Sequence, residues 1–202
     1  MNRIGPSTTE PVAIPVAVSA RHVHPSQQTL DVLFGRGHAL KVNCALSQPG
    51  QFAAVETVSL VGPRGRLDGV RLLGPPRAVD QVELSRSDEI ALGIDAPLRV
   101  SGDLVDTPGI QLVGPAGSVR LAAGVVTPVR HIHMNPADAE RLGVQDRQRV
   151  SVAVDSEGRD LVFQDVVVRV SPDFQLELHL DTDEGNAAGV TRASTARLLP
   201  GR

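Results

Sequence analysis

RHVH, at residues 21–24, recurs as RHIH at residues 130–133, and these two segments contain four of the six histidines of the chain. In an extended strand, alternate side chains point to the same face. The two histidines of each segment can therefore grip one metal ion while the Val or Ile between them packs into a core. A single His-x-His is weak evidence, because strand histidines are also found solvated or hydrogen-bonded. Two copies with the same preceding Arg favour a pair of metal sites.

The composition is that of a soluble globular protein with an aliphatic core. The 202 residues are 41% hydrophobic and 21% charged, with no Trp and no Tyr. A net charge of −3, the lack of a basic run and the scarcity of aromatic residues argue against a nucleic-acid partner. No apolar run approaches the roughly 20 residues of a membrane helix, so we expect no membrane partner either.

The sequence favours a cytoplasmic location. The single cysteine, Cys44, cannot form an internal disulfide, which is typical of a reducing compartment. We interpret this cysteine as a small buried apolar residue. Residues 1–11 have neither a basic n-region nor an unbroken apolar h-region, so we interpret them as a disordered lead-in and not as a secretion signal.

The chain contains 19 glycines and 15 prolines, which are spread over its whole length. Short strands joined by turns suit this spacing, so the predicted fold class is mainly β. Two Gly-Pro-x-Gly segments, residues 62–65 and 114–117, are predicted to be hairpin turns. Short helices are predicted directly after the two histidine pairs, over residues 27–34 and 136–142.

A second internal similarity aligns residues 70–94 with residues 166–190 at a constant offset of 96 residues, and it places Glu83 opposite His179. Each half of the chain would then offer three metal ligands. These are His22, His24 and Glu83 in one half and His131, His133 and His179 in the other. We therefore predict two small β-barrels with short helices, related by internal duplication, with the active site in the cleft between them.

The predicted ligands suit divalent first-row metals, and zinc is favoured where three imidazoles leave a fourth position open to substrate. Two such sites side by side would bridge a phosphate or polarise a carbonyl. Because Glu83 adds a carboxylate charge to one site only, the metal held by three histidines is expected to be the stronger Lewis acid.

Several arginines lie near the predicted ligands and indicate an anionic substrate, since a guanidinium fork matches a phosphate edge. Taken singly, Arg21, Arg86 and Arg130 are most simply interpreted as partners in surface ion pairs. Arg77 is the arginine assigned a catalytic role, because it follows a Gly-Pro-Pro turn beside the strand of Glu83.

Six motifs in order carry a resemblance to a known family, from residue 14 to about residue 189. They are VSARHVH (18–24), LSQPGQFAA (46–54), GPPR (74–77) leading to QVELSR (81–86), SGDL (101–104), RHIHM (130–134) and DTDEGNAAG (181–189). On these motifs the chain resembles the PduL-type phosphotransacylases, the phosphate propanoyltransferases.

The resemblance implies a pair of β-barrels with a dinuclear zinc site in the cleft. It also implies reversible transfer of a short acyl group, propanoyl or acetyl, between coenzyme A and inorganic phosphate. By position it implies the same six metal ligands, with Arg77 contacting phosphate. Members packaged in bacterial microcompartments carry an N-terminal helical extension, and only about a dozen residues precede the first predicted strand here, so encapsulation is not expected.

The resemblance further implies that the first strand joins the C-terminal barrel. One barrel would then comprise residues 12–20 and 129–190. The other would comprise residues 21–128, with an inserted loop or hairpin around residues 35–55. Residues 191–202 are expected to form a flexible tail.

Two other functions stay open at this point: a two-barrel binding module stapled by metal, and a dimetal hydrolase of thioesters or acyl phosphates. Cys44 is the only conventional candidate for a thiol intermediate, so direct attack of phosphate on the thioester is the favoured chemistry. A homodimer is expected as the commonest default.

Overall fold

Fifteen strands and four short helices make up residues 12–200, the part of the chain that the computed structural model describes. The helices are α1 (Gln27–Phe34), α2 (Arg86–Leu92), α3 (Pro136–Leu142) and α4 (Thr182–Ala187). The strands are β1 (Ile14–Ser19), β2 (His22–His24), β3 (Val42–Ala45), β4 (Phe52–Val61), β5 (Arg66–Gly74), β6 (Gln81–Glu83), β7 (Leu98–Arg99), β8 (Gln111–Val113), β9 (Ser118–Arg120), β10 (Val125–Pro128), β11 (His131–Met134), β12 (Arg149–Asp155), β13 (Leu161–Val170), β14 (Glu177–Asp181) and β15 (Thr195–Leu198). The prediction of a mainly β fold is confirmed. The expected disordered lead-in, residues 1–11, lies outside the described residues.

Six strands close into a barrel in the order β1-β14-β11-β13-β12-β15. The first strand of the chain runs parallel to β14 and antiparallel to β15, so both ends of the described chain belong to this barrel. The expectation of a flexible tail over residues 191–202 is wrong for residues 195–198. These residues form β15, whose main chain pairs with β1 and β12 and whose Ala196 is buried.

The other strands form an open half-barrel of nine strands. Its order is β7-β10-β6-β2-β5-β4-β8-β9, and β3 pairs with β4 beside this path. The second of the two predicted barrels is therefore open in its strand pairing. Both predicted hairpins are present: residues 62–65 connect β4 to β5, and residues 114–117 connect β8 to β9.

The strand pairings around each histidine pair are the same in both halves. β2 is antiparallel to β6, which places His22 opposite Glu83, and β11 is antiparallel to β14, which places His131 opposite His179. On its other side each histidine strand runs parallel to a long strand, β5 or β13. The residues of β5 and β13 that pair with the first histidine, and likewise those of β6 and β14, differ by 96 positions. This shared register supports internal duplication more strongly than the sequence identities alone.

Each half has its own aliphatic core. Val23 and Ile132, the residues between the paired histidines, are completely buried in the two cores. Because side chains alternate across a strand, burial of these two residues turns the neighbouring histidines to the opposite face.

All four helices begin directly after a strand that bears histidine or glutamate. The predicted helices, α1 and α3, are confirmed, with Ser26 and Asn135 as N-caps. The unpredicted helices, α2 and α4, follow β6 and β14, and each begins with a capping box. The two unpredicted helices also meet, since the Ser87 N–H donates to Asp183 Oδ2 at 2.8 Å. Among the described helices, none combines the length and the apolarity needed to cross a membrane.

We expect Ile132→Ala to lower the free energy of unfolding of the metal-free chain by about 2–5 kcal/mol, because it leaves a cavity in the barrel core. Urea unfolding followed by circular dichroism measures the change. Val162→Ala is the control, since Val162 lies on β13 with 54% of its surface exposed. Its cost should be about 1 kcal/mol or less, and an equal cost at the two positions would contradict the buried placement of Ile132.

Candidate metal centre

His22, His24 and Glu83 meet on one face of the half-barrel. One ligand atom from each of the three lies within 4.8 Å of the other two, and all three side chains are buried. The two Nε2 atoms are 3.1 Å apart, and Glu83 Oε2 lies 3.5 Å from His22 Nε2. Two imidazole nitrogens and a carboxylate at this spacing can surround a single cation.

His131, His133 and His179 form a corresponding cluster on the barrel. Their candidate ligand atoms also lie within 4.8 Å of one another, and their ring centroids are 4.6–5.0 Å apart. Within the described residues, both ring nitrogens of His133 are buried without a hydrogen-bond partner. A buried polar atom without a partner is costly, and a metal ion would satisfy one of these nitrogens. The cluster therefore fits a cation better than it fits an unliganded core.

The first histidine of each pair is held in the same way. His22 Nδ1 lies 2.8 Å from the Ala20 carbonyl oxygen, and His131 Nδ1 lies 2.8 Å from the Val129 carbonyl oxygen. A carbonyl oxygen only accepts hydrogen bonds, so Nδ1 carries the proton and Nε2 keeps its lone pair. This is the arrangement by which a main-chain oxygen orients a histidine that binds metal through its other nitrogen.

Three of the histidines are poor bases in this setting. Burial, reinforced by the neighbouring histidines, lowers the pKa of His24 and of His133 to about 2. Burial and the adjacent His179 lower the pKa of His131 to about 4. At neutral pH these rings are therefore uncharged, which is the form that ligates metal.

Both clusters border one cavity of about 500 Å³, which lies between the barrel and the half-barrel. Four arginines, Arg21, Arg71, Arg77 and Arg169, line the same cavity. The cavity thus combines two clusters that could each hold a cation with guanidinium groups, and this combination suits an anion held between metals and arginines.

Arg77 lies at the edge of the first cluster. Its Nη2 is 3.0 Å from His24 Nε2, and its Nη1 donates to Ser101 Oγ at 3.3 Å. Arginine can only donate, so His24 Nε2 must accept and must carry a lone pair. Burial lowers the pKa of Arg77, which Glu83 partly offsets, and the side chain still carries its charge at neutral pH.

Arg21, Arg86 and Arg130, the other arginines that the sequence singled out, are engaged in ion pairs, as the simpler interpretation predicts. Arg21 Nε lies 2.8 Å from Asp88 Oδ1, and Arg130 Nη1 lies 3.1 Å from Glu184 Oε1. The two acids occupy the same position of α2 and α4, the third residue of the helix, where each belongs to a capping box. Each ion pair thus connects the residue before a histidine pair to the helix that follows the strand of the third candidate ligand.

Sequence reasoning missed Arg169. It lies on β13 opposite His133, its guanidinium is 5.6 Å from the centroid of the Phe174 ring, and burial lowers its pKa. The available signal was a single arginine within the otherwise apolar run of residues 166–170.

Gln81 was missed as well, although it lies two residues before Glu83 and hence on the same face of β6. Its Nε2 donates to Glu83 Oε1 at 2.6 Å and to Ser101 Oγ at 2.8 Å. Gln81 therefore holds the carboxylate of the first cluster in place.

Glu177 is the counterpart of Gln81 in the second half, at the same 96-residue offset. Its Oε2 lies 3.0 Å from His179 Nε2. Burial alone would raise the pKa of Glu177, but contacts with His179 and Ser47 lower it overall. The second cluster thus also has a carboxylate beside it. The expected contrast in Lewis acidity between the two metals stays a prediction.

One residue outside the clusters differs from the sequence interpretation. Cys44 is exposed on β3, so its interpretation as a buried residue is wrong: β3 pairs with β4 beside the main path of the sheet. His38, which also lies outside the clusters, has its Nε2 2.9 Å from Glu56 Oε1 and stacks against Phe34.

Comparison with known proteins identifies relatives over most of the chain. The family model of phosphate propanoyltransferase matches residues 15–191. A phosphate propanoyltransferase of Salmonella typhimurium is 55% identical over 176 residues, covering 87% of this chain and 83% of the relative. One from Thermotoga maritima is 53% identical over 173 residues, covering 86% and 82%, and one from Escherichia fergusonii is 50% identical over 186 residues, covering 92% and 88%.

We expect the metal-free chain to lose stability as the pH falls from about 7 towards 4. His131 and His133 stay neutral in the folded state, with pKa values of about 4 and 2, whereas in the unfolded chain they titrate near 6.5. Below that pH the unfolded state binds more protons, and each histidine contributes a loss of up to about 1.4 kcal/mol per pH unit. Urea unfolding at several pH values measures the slope.

His133→Asn supplies the control for this slope. Burial raises the pKa of Asp181 and of Glu184, so these two carboxyls add stability as the pH falls and oppose the loss caused by the histidines. The variant keeps both carboxyls. The difference between the two slopes isolates His133. Parallel slopes for the wild type and the variant would show that His133 is not buried as a neutral ring.

Proposed function

The chain belongs to the phosphate propanoyltransferase family, and from this premise we propose that its two ligand clusters form a dinuclear zinc site for acyl transfer. The proposed reaction moves a short acyl group, propanoyl or acetyl, reversibly between coenzyme A and inorganic phosphate. The observation that carries the proposal is the convergence of two clusters of potential metal ligands and Arg77 on one cavity.

Six residues would hold the two metals, three for each ion. They are His22, His24 and Glu83 for one and His131, His133 and His179 for the other. When bound, the metals would supply Lewis-acid stabilisation of negative charge on phosphate and on the developing oxyanion.

Arg77 would orient the phosphate. Its guanidinium is fixed on one side by Ser101 and borders His24 on the other, so a donor fork stands at the edge of the first cluster. A fork held by neighbouring side chains loses little entropy when it binds a tetrahedral anion. We therefore assign Arg77 to phosphate binding and to neutralising charge during the transfer.

The transfer itself would be a direct substitution at the thioester. A phosphate oxygen attacks the carbonyl carbon, a carbon–oxygen bond forms, and the carbon–sulfur bond breaks to release coenzyme A as a thiolate that then takes up a proton. Cys44 is exposed on β3 and is not among the described residues that line the cavity. Its position supports a reaction without a cysteine-bound acyl group.

Two alternative functions, a hydrolase at the same clusters and a binding module stabilised by metal, differ from the proposed transferase in how they release thiol. A hydrolase would release thiol from acyl-CoA without phosphate, and a binding module would release none. A homodimer and a cytoplasmic location stay predictions from the sequence.

We expect the zinc-loaded chain to release coenzyme A thiol from propanoyl-CoA or acetyl-CoA only when phosphate is present. His131→Ala should lose one of two zinc equivalents and most of this activity, because it removes a ligand of one metal. Thiol-reagent absorbance gives the rate, and elemental analysis gives the zinc content. His38→Ala is the matched control, since this histidine pairs with Glu56 outside both clusters. Full activity of His131→Ala with two zinc ions bound would refute the ligand assignment.

Arg77→Lys should lower kcat/KM for phosphate by roughly 10- to 100-fold, since a charge-assisted hydrogen bond contributes about 1.5–3 kcal/mol and lysine cannot reproduce the fork. Initial rates at varied phosphate concentration measure the effect. Arg66→Lys is the control, because Arg66 is exposed and pairs with Asp68 on β5. An unchanged phosphate dependence in Arg77→Lys would remove Arg77 from the phosphate site.

A further inference from the structure

The segment between β3 and β4 reaches from the half-barrel to the barrel. Gln48, in this segment, is only 4% exposed. Its Nε2 donates to the Gln175 carbonyl oxygen at 3.2 Å, and its Oε1 accepts from the Gln175 N–H at 3.2 Å. One side-chain amide thus satisfies both main-chain groups of a residue in the other half of the molecule.

The same segment holds a second residue of the barrel. Gln48 Nε2 lies 3.3 Å from Glu177 Oε2, and the Ser47 hydroxyl donates to the same carboxylate oxygen. Two consecutive side chains of the half-barrel therefore converge on residues 175–177 of the barrel. We call residues Ser47 and Gln48 the strap.

The residues that the strap holds stand beside two histidines of the second cluster. Phe174, the neighbour of Gln175, has its ring centroid 4.1 Å from that of His133. Glu177 lies 3.0 Å from His179 Nε2. Displacement of residues 174–177 would therefore change the surroundings of both rings.

The two halves differ in which residues hold the side chain beside each cluster. Gln81, the counterpart of Glu177, is held within its own half of the molecule, since it donates to Ser101 and accepts the Gly102 N–H at 3.0 Å. Glu177 instead receives its donors from the other half. The second cluster is thus supported from across the cavity, whereas the first supports itself.

We propose that Gln48 is a positioning residue for the second cluster. Through Gln175 and Glu177 it fixes His133 and His179 in the orientation that binds metal. It also fixes the position of that cluster relative to the first. The proposal rests on the proposed dinuclear site for its catalytic consequence. Its structural part, the support of residues 174–179 by the strap, is independent of the reaction.

The test compares Gln48→Ala with the wild type and with Gln164→Ala, which changes an exposed glutamine of β13. Loss of a residue that supports metal ligands typically costs 10- to 100-fold in affinity or activity. We expect Gln48→Ala to bind one of two zinc ions about 10-fold more weakly or worse in chelator competition. We also expect kcat to fall by a similar factor, with a smaller change in KM for phosphate.

Hydrogen exchange of the metal-free chain gives a readout that needs neither zinc nor turnover. Gln48→Ala should speed amide exchange in residues 174–179, while Gln164→Ala should not. Zinc affinity and kcat within twofold of the wild type would overturn the proposal. A uniform loss of stability with unchanged zinc affinity in the folded protein would do the same, since it would leave Gln48 a structural role only.

If Gln48→Ala fails to fold, Gln48→Met keeps the side-chain volume without the hydrogen bonds and is judged by the same criteria. If the wild type releases no thiol, the proposed function fails. The zinc-affinity and exchange measurements then still decide the role of the strap.

Discussion

The alternation of side chains along two very short strands is the constraint on which the rest of the site depends. Val23 and Ile132 are completely buried in separate aliphatic cores. Each buried residue turns the histidines on either side of it to the opposite face, and the main-chain carbonyls at Ala20 and Val129 then fix the first ring of each pair. Core packing therefore also fixes the geometry of the candidate ligands. If the strand shifted by one residue, its histidines would turn into the aliphatic core and its aliphatic side chain would turn towards the cavity.

The third candidate ligand of each cluster is placed by strand register. His22 lies opposite Glu83 and His131 lies opposite His179, so the same antiparallel pairing supplies a carboxylate in one half and an imidazole in the other. The halves have diverged in their support as well as in their ligands. Gln81 is held by Ser101 of its own half, and Glu177 is held by the strap, so the second cluster depends on the relative placement of barrel and half-barrel.

Local patterns in the sequence were sufficient for the features that depend on neighbouring residues. Both Gly-Pro-x-Gly turns and both helices after the histidine pairs follow from punctuation and capping, and the internal repeat brought Glu83 and His179 together with the pairs. Long-range features were not accessible in this way. Residues 195–198 complete the barrel because β1 and β12 offer open edges, and nothing in their own composition distinguishes them from a tail. Arg169 reaches the cavity only because β13 pairs with the second histidine strand.

The contact between α2 and α4 joins Ser87 to Asp183, and these two positions are equivalent at the offset of 96 residues. Equivalent positions touch where two related units face each other across a local twofold axis. On such an axis identical residues would meet: two copies of Asp183 would set two carboxylates against each other, and two copies of Ser87 would leave the α2 N–H without this acceptor. The two halves therefore meet at this point through a complementary donor and acceptor, which two identical residues would not provide.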